Sequence, residues 1–154
     1  MKIIYANESP NEDPCQSIFL AGPSPQSKEH YNWRPEALEI LKKIEFDGSV
    51  FVPISRDGNW LPNYNAKVEW ELTHLDMASV IVFWIPRDLE TRPGFRTNVK
   101  YGMYLKSGKI ILGFPENTPK MKYLAHLADI HNISIYHTLE KTLNNALQKL
   151  RSIS

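Results

Sequence analysis

A chain of 154 residues that is 42% hydrophobic and 23% charged has the size and composition of one globular domain, which excludes a disordered or fibrous protein. Its 18 basic and 17 acidic residues leave a formal net charge of +1, so no general attraction draws it to a nucleic-acid polymer or an anionic membrane. One cysteine, Cys15, excludes an internal disulfide and a cysteine-based zinc cluster, and no apolar run approaches the roughly 20 residues of a membrane helix. The N-terminal apolar segment is too short for a signal peptide, which makes the cytoplasm the expected location.

Short apolar runs alternate with longer helix-like segments along the chain. Strands are expected at 17–21 (SIFLA), 49–53 (SVFVP), 80–85 (VIVFWI) and 109–113 (KIILG), with a weaker one at 133–136 and an edge strand at 2–5. These runs lack polar alternation, as befits strands buried on both faces of a parallel sheet. Helices are expected at 35–43, 66–77, 97–106, 120–131 and 139–151. In the last, Leu139, Leu143, Leu147 and Leu150 recur at helical spacing and should pack on the sheet. This alternation predicts a single-domain α/β fold, a flavodoxin-like or Rossmann-like doubly wound parallel sheet of about five strands. Ligands bind such sheets beyond the carboxyl ends of the strands.

At the first such end stands AGPSP (21–25), then Trp33-Arg34-Pro35. Gly22 lets backbone come close to a ligand, Pro23 shapes the turn and Ser24 offers a hydroxyl; an ordinary proline-rich turn would read the same way. The loop after the second strand holds Arg56 and Trp60, either as a rim over a flat ligand or as a plain surface loop. Early in the next helix, Glu71 shares a face with Leu75 and Ala78 and should point toward the sheet, while Glu69 points elsewhere; helix-dipole pairing is the alternative role for both. Trp84 stands at the end of the third strand and Arg87 and Asp88 follow it, with Trp84 and Trp60 as candidate surfaces for stacking a base. Arg96, Thr97, Asn98 and Lys100 then open a helix, where Thr97 or Asn98 could cap it or an anion could bind. No pair of the five histidines has metal-ligand spacing, and no dinucleotide, Walker or nucleophile-elbow motif occurs, so neither metal nor cofactor is expected.

The ordered set IFLAGPSP, WRPEAL, VFVP, VEWE, FWIPRD, GFRTNVKYG and KIILGFP closely resembles the nucleoside 2-deoxyribosyltransferase-like family, from about Ser17 to Pro115. The resemblance implies a pocket for a small-molecule nucleoside or nucleotide and, in active members, transfer or hydrolysis of the N-glycosidic bond through a glycosyl-enzyme intermediate. It also implies a homo-oligomer in many relatives, with subunits completing one another's pockets. Active relatives place a nucleophilic glutamate in a motif of the form TNVEFG. Here the stretch is TNVKYG (97–102), which puts Lys100 at the nucleophile position. Gly22 and Pro23 match the AGP loop, Asn98 matches the motif asparagine, and Glu71 falls where relatives carry an acidic residue near the base.

Cleavage at C1′ develops positive charge on the sugar, which a carboxylate stabilises. At ~4 Å and an effective dielectric of ~20, a lysine there turns a gain of about 4 kcal/mol into a similar penalty. Three readings follow: an enzyme using Glu71, Glu69 or Asp88, or a lysine in different covalent chemistry; a binding module that holds a nucleotide-derived ligand; and an active parent inactivated by substitution.

Overall fold

The inward and outward parity of each strand sets the architecture. The structure is a computed structural model that describes residues 1–10, 14–58 and 63–153. In β2 (Ser17–Ala21), Ile18 and Leu20 face one helical layer, and Phe19 and Ala21 face the other. In β4 (Val80–Trp84), Val80, Val82 and Trp84 share the first side, and Ile81 and Phe83 the second. Every residue of both strands is buried, the two-sided burial expected of unbroken apolar runs in a parallel sheet. With β1 (Lys2–Tyr5), β3 (Ser49–Val52), β5 (Ile110–Gly113) and β6 (Ile135–Tyr136) they form a six-stranded sheet in the order β1-β3-β2-β4-β5-β6. All pairings are parallel. Counted from β2, the order is the flavodoxin-like 2-1-3-4-5, with β1 added outside β3. The sheet thus holds one strand more than the five expected.

On one face lie α1 (Arg34–Lys43) and α5 (Leu139–Ile153), which bury Ala37 and Leu41, and Leu139, Leu143, Leu147 and Leu150. On the other lie α2 (Tyr64–Met77), α3 (Phe95–Tyr104) and α4 (Lys122–Ile130), contributing Trp70 and Leu75, Tyr101, and Leu124 and Ala128. α2 starts two residues earlier than expected because the Asn63 side chain accepts a hydrogen bond from the Ala66 amide. α3 also starts early. Its N-cap is Gly94, in the left-handed region at φ 70°, so neither Thr97 nor Asn98 caps it, contrary to that expectation. The chain leaves β2 for β3 on one side and later reaches β4 on the other, so the switch point lies between the carboxyl ends of β2 and β4. Among the described residues, no helix is long and apolar enough to cross a membrane.

Candidate functional site

The loop after β2 is fixed from beneath by two consecutive side chains. Trp33, fully buried, donates its indole N–H to the Pro23 carbonyl at 3.1 Å. Arg34, 1% exposed, donates from Nε to the Leu20 carbonyl (3.2 Å) and from its two terminal nitrogens to the Gly22 carbonyl (2.9 Å) and Ser24 Oγ (3.2 Å). Its fork satisfies carbonyls that a tight turn after a buried strand would leave unpaired. Burial brings Arg34 down to about 10, partly offset by Glu71, so it stays cationic at neutral pH. Gly22 is required by space: a β-carbon there would collide with the Trp84 carbonyl oxygen and lie 2.8 Å from the Trp33 ring. From above, Gly94 lets the start of α3 close on Pro23, whose Cγ would stand 3.1 Å from a β-carbon at position 94.

A cleft of about 230 Å³ opens between this loop, α2 and the first two turns of α3. Gly22, Pro23, Ser24, Glu71, Arg96, Thr97 and Lys100, all singled out from sequence, line it, together with Pro25, Gln26, Pro93, Gly94 and Phe95. At its base Lys100 Nζ donates to Glu71 Oε2 at 3.1 Å, with side chains only 12% and 9% exposed. Glu71 stands in the interior of α2, beyond its first turn, which leaves the helix dipole no part in placing it. Burial lowers the Lys100 ammonium below the usual lysine range; Glu71 opposes the shift, and Arg34 and Arg96 reinforce it. Lys67, one helical turn before Glu71, is lowered for the same first reason and feels the same neighbours. Arg34, Lys67 and Lys100 therefore share one carboxylate, and Arg96 adds its charge to Lys67 and Lys100.

Lys67 lines a second cavity of about 230 Å³ with Ser27, Lys28, His30, Asn32, Ile54, Ser55 and Gly58. Ser24 and Pro25 line both cavities, so the two meet along the loop after β2. Arg34 and Lys67 stand outside the site residues expected from the sequence. The signals available were the WR pair beside AGPSP, and the i, i+4 spacing of Lys67 and Glu71 on one helix face.

Other expected site residues lie elsewhere. Trp84 is 5% exposed and belongs to the core beneath α1 and α5, by the same alternation that buries Val80 and Val82, so it presents no ring to the cleft. Arg87 donates to the Lys120 carbonyl (3.1 Å) and to Asn98 Oδ1, which occupies both side chains with each other outside the cleft lining. The Asp88 carboxylate accepts from the Glu90 and Thr91 amides and the Thr91 hydroxyl, at 2.7–3.1 Å. The Thr91 bonds hold it below the usual aspartate range and commit it to a turn. Glu69 is exposed and lines neither cavity. Arg56 forms a two-pronged pair with Glu8 (2.7 and 2.9 Å) over the Tyr5 ring and lines neither cavity. Trp60 lies outside the described residues. Among the described residues, no group of three or more His, Cys, Asp or Glu side chains could hold a metal ion.

The model of the family described as nucleoside 2-deoxyribosyltransferase like matches residues 15–118, which run from β2 through β5 and contain Gly22, Glu71 and Lys100. No curated protein matches the chain. The family match covers more than half of the sequence, and the chain belongs to this family.

Proposed function

We propose that this member of the nucleoside 2-deoxyribosyltransferase-like family binds a phosphorylated nucleoside in the cleft at the switch point and leaves the N-glycosidic bond intact. The observation that carries the reading is the 3.1 Å ion pair between Lys100 and Glu71. An ammonium stands at the nucleophile position, and it pairs with the one carboxylate in the cleft lining. A cation there opposes the positive charge that C1′ must develop, whereas a phosphate gains from it. Arg34, Lys67 and Arg96 extend the same field, and Ser24 and Thr97 supply hydroxyls to the sugar or phosphate oxygens.

Titration calorimetry with purine and pyrimidine deoxynucleosides and their 5′-monophosphates tests this. One or two charge-assisted hydrogen bonds are worth about 1.5–3 kcal/mol, so the monophosphates should bind about 10- to 150-fold more tightly than the nucleosides. That advantage should shrink between low and high salt. Chromatography of the same mixtures should show no free base. Equal affinity for nucleosides and nucleotides overturns the anionic-ligand reading. Turnover by the unmodified protein overturns the non-catalytic one and makes Glu71 the working carboxylate.

A further inference from the structure

We propose that Lys100 is an amine nucleophile toward aldehydes, forming a Schiff base with the open-chain form of a pentose 5-phosphate held in the cleft. The inference rests on the reading of the cleft as a sugar-phosphate site and goes beyond it by assigning covalent chemistry to Lys100.

Three observations combine. Lys100 and its partner Glu71 both line an open cleft while the lysine side chain is only 12% exposed, so the amine is sheltered from bulk water at the edge of the space a ligand would fill. Its partner is Glu71, a carboxylate 3.1 Å away that can take and return a proton. The remaining charged neighbours, Arg34 and Arg96, are both cationic and favour the uncharged amine, as does burial. A lysine made nucleophilic by desolvation and neighbouring cations is an established route to imine chemistry with carbonyl compounds.

The step balances within the pair and the substrate. Glu71 takes a proton from the Lys100 ammonium. The freed Nζ lone pair attacks the aldehyde carbon, forming a C–N bond as the C=O π electrons move to oxygen. Glu71 gives its proton to that oxygen, recovers one from the attacking nitrogen, and delivers it to the hydroxyl. Water leaves as the C=N bond forms. One ammonium and one aldehyde become one iminium and one water, with Glu71 ionised again. The iminium carries the charge the ammonium had, so the ion pair with Glu71 persists in the product. The phosphate lies in the field of Arg96 and Arg34, and Ser24 and Thr97 offer hydroxyls along the pentose chain.

The test uses the unmodified protein. It is incubated with 2-deoxyribose 5-phosphate, ribose 5-phosphate or the two unphosphorylated sugars, reduced with cyanoborohydride, and mapped by peptide mass spectrometry. Lys100 should be labelled by the sugar phosphates at least 10-fold faster than exposed lysines such as Lys106 and Lys141. Labelling of Lys100 by the uncharged sugars should be at least 10-fold slower than by the phosphates. Lys100→Arg should lose the adduct at position 100 and keep the slow background elsewhere. Labelling confined to surface lysines overturns the proposal, and equal labelling of Lys100 by charged and uncharged sugars overturns the sugar-phosphate assignment. Absence of the adduct in a protein that still binds nucleoside monophosphates by calorimetry sinks the Schiff-base proposal alone. Loss of both sinks the anionic-cleft reading on which it rests.

Discussion

Replacing Lys100 with glutamate inverts one half of the 3.1 Å pair at the base of the cleft. At an effective dielectric of about 20, the attraction lost is about 5 kcal/mol, an upper figure for a cleft open to water. The glutamate is shorter than lysine, so two carboxyl groups would face each other at roughly 5 Å, where repulsion is about 3 kcal/mol, or about 2 pKa units. That repulsion favours a single proton shared by the pair, while Arg34, Lys67 and Arg96 favour the ionised form. Position 100 lies in the second turn of α3, so these side chains, and not the helix dipole, set the balance.

A carboxylate beside a carboxylic acid at about 5 Å is the arrangement that glycosyl transfer through a covalent intermediate requires. The unmodified protein should therefore release no base from deoxynucleosides and exchange none, and Lys100→Glu should do both. The same change should weaken a 5′-monophosphate by about 1–3 kcal/mol, or roughly 5- to 150-fold. Lys100→Met is the control: it removes the ion pair, supplies no carboxylate, and should cost about 3 kcal/mol in urea unfolding without gaining activity. Base release and exchange are measured chromatographically on all three proteins. Robust turnover by the unmodified chain refutes the reasoning, as does silence from a folded Lys100→Glu that binds nucleosides.

Arg34→Met should cost about 3 kcal/mol or more in urea unfolding and abolish nucleotide binding, because the Leu20 and Gly22 carbonyls and Ser24 Oγ lose their donor together. Gly22→Ala should lower the melting temperature and weaken every cleft ligand, since its β-carbon meets the Trp84 carbonyl and backbone must move. His74 is buried and stacked on Trp70 at 4.0 Å, and its Nε2 has no hydrogen-bond partner among the described residues. Burial lowers its folded-state pKa below the ordinary 6.5, so its contribution to stability is intact above that pH and is lost as pH falls through the folded value. Urea midpoints should fall as pH drops below about 6.5, and His74→Phe should flatten that dependence.

The sheet was legible because residues buried on both faces leave an unmistakable apolar run, as at Val80–Trp84. The same rule places Trp84: it stands two residues from Val82 and four from Val80, and must share their side of the sheet. Glu71 was legible by the helical counterpart of that rule, through its spacing from Leu75. What sequence hid was competition among polar partners. Nothing in the run Pro86-Arg87-Asp88 says that the carboxylate will turn back on Thr91, or that Arg87 and Asn98 will engage each other. Those choices depend on loop paths that bring residues 3 and 11 positions apart into contact, and they remove side chains from the cleft that composition alone would place there.

The cleft's charge follows from an asymmetry in how its members are held. Arg34 is fixed by the backbone it supports: its donors go to the Leu20 and Gly22 carbonyls and to Ser24 Oγ, and Glu71 offsets its charge only through space. Glu71 makes its one side-chain ion pair among the described residues with Lys100. Burial penalises a cation at position 100, and the buried Arg34 guanidinium, close enough to influence Lys100, adds to that penalty. A glutamate at position 100 would have met Arg34 as an attractive neighbour. Glu71 instead favours the charged form of the lysine, and their pairing takes up the carboxylate a glycosyl-transfer reaction would use. On the proposed reading, an ammonium in place of a carboxylate acts twice, at position 100 and at Glu71, and a substitution at position 100 alone should release both.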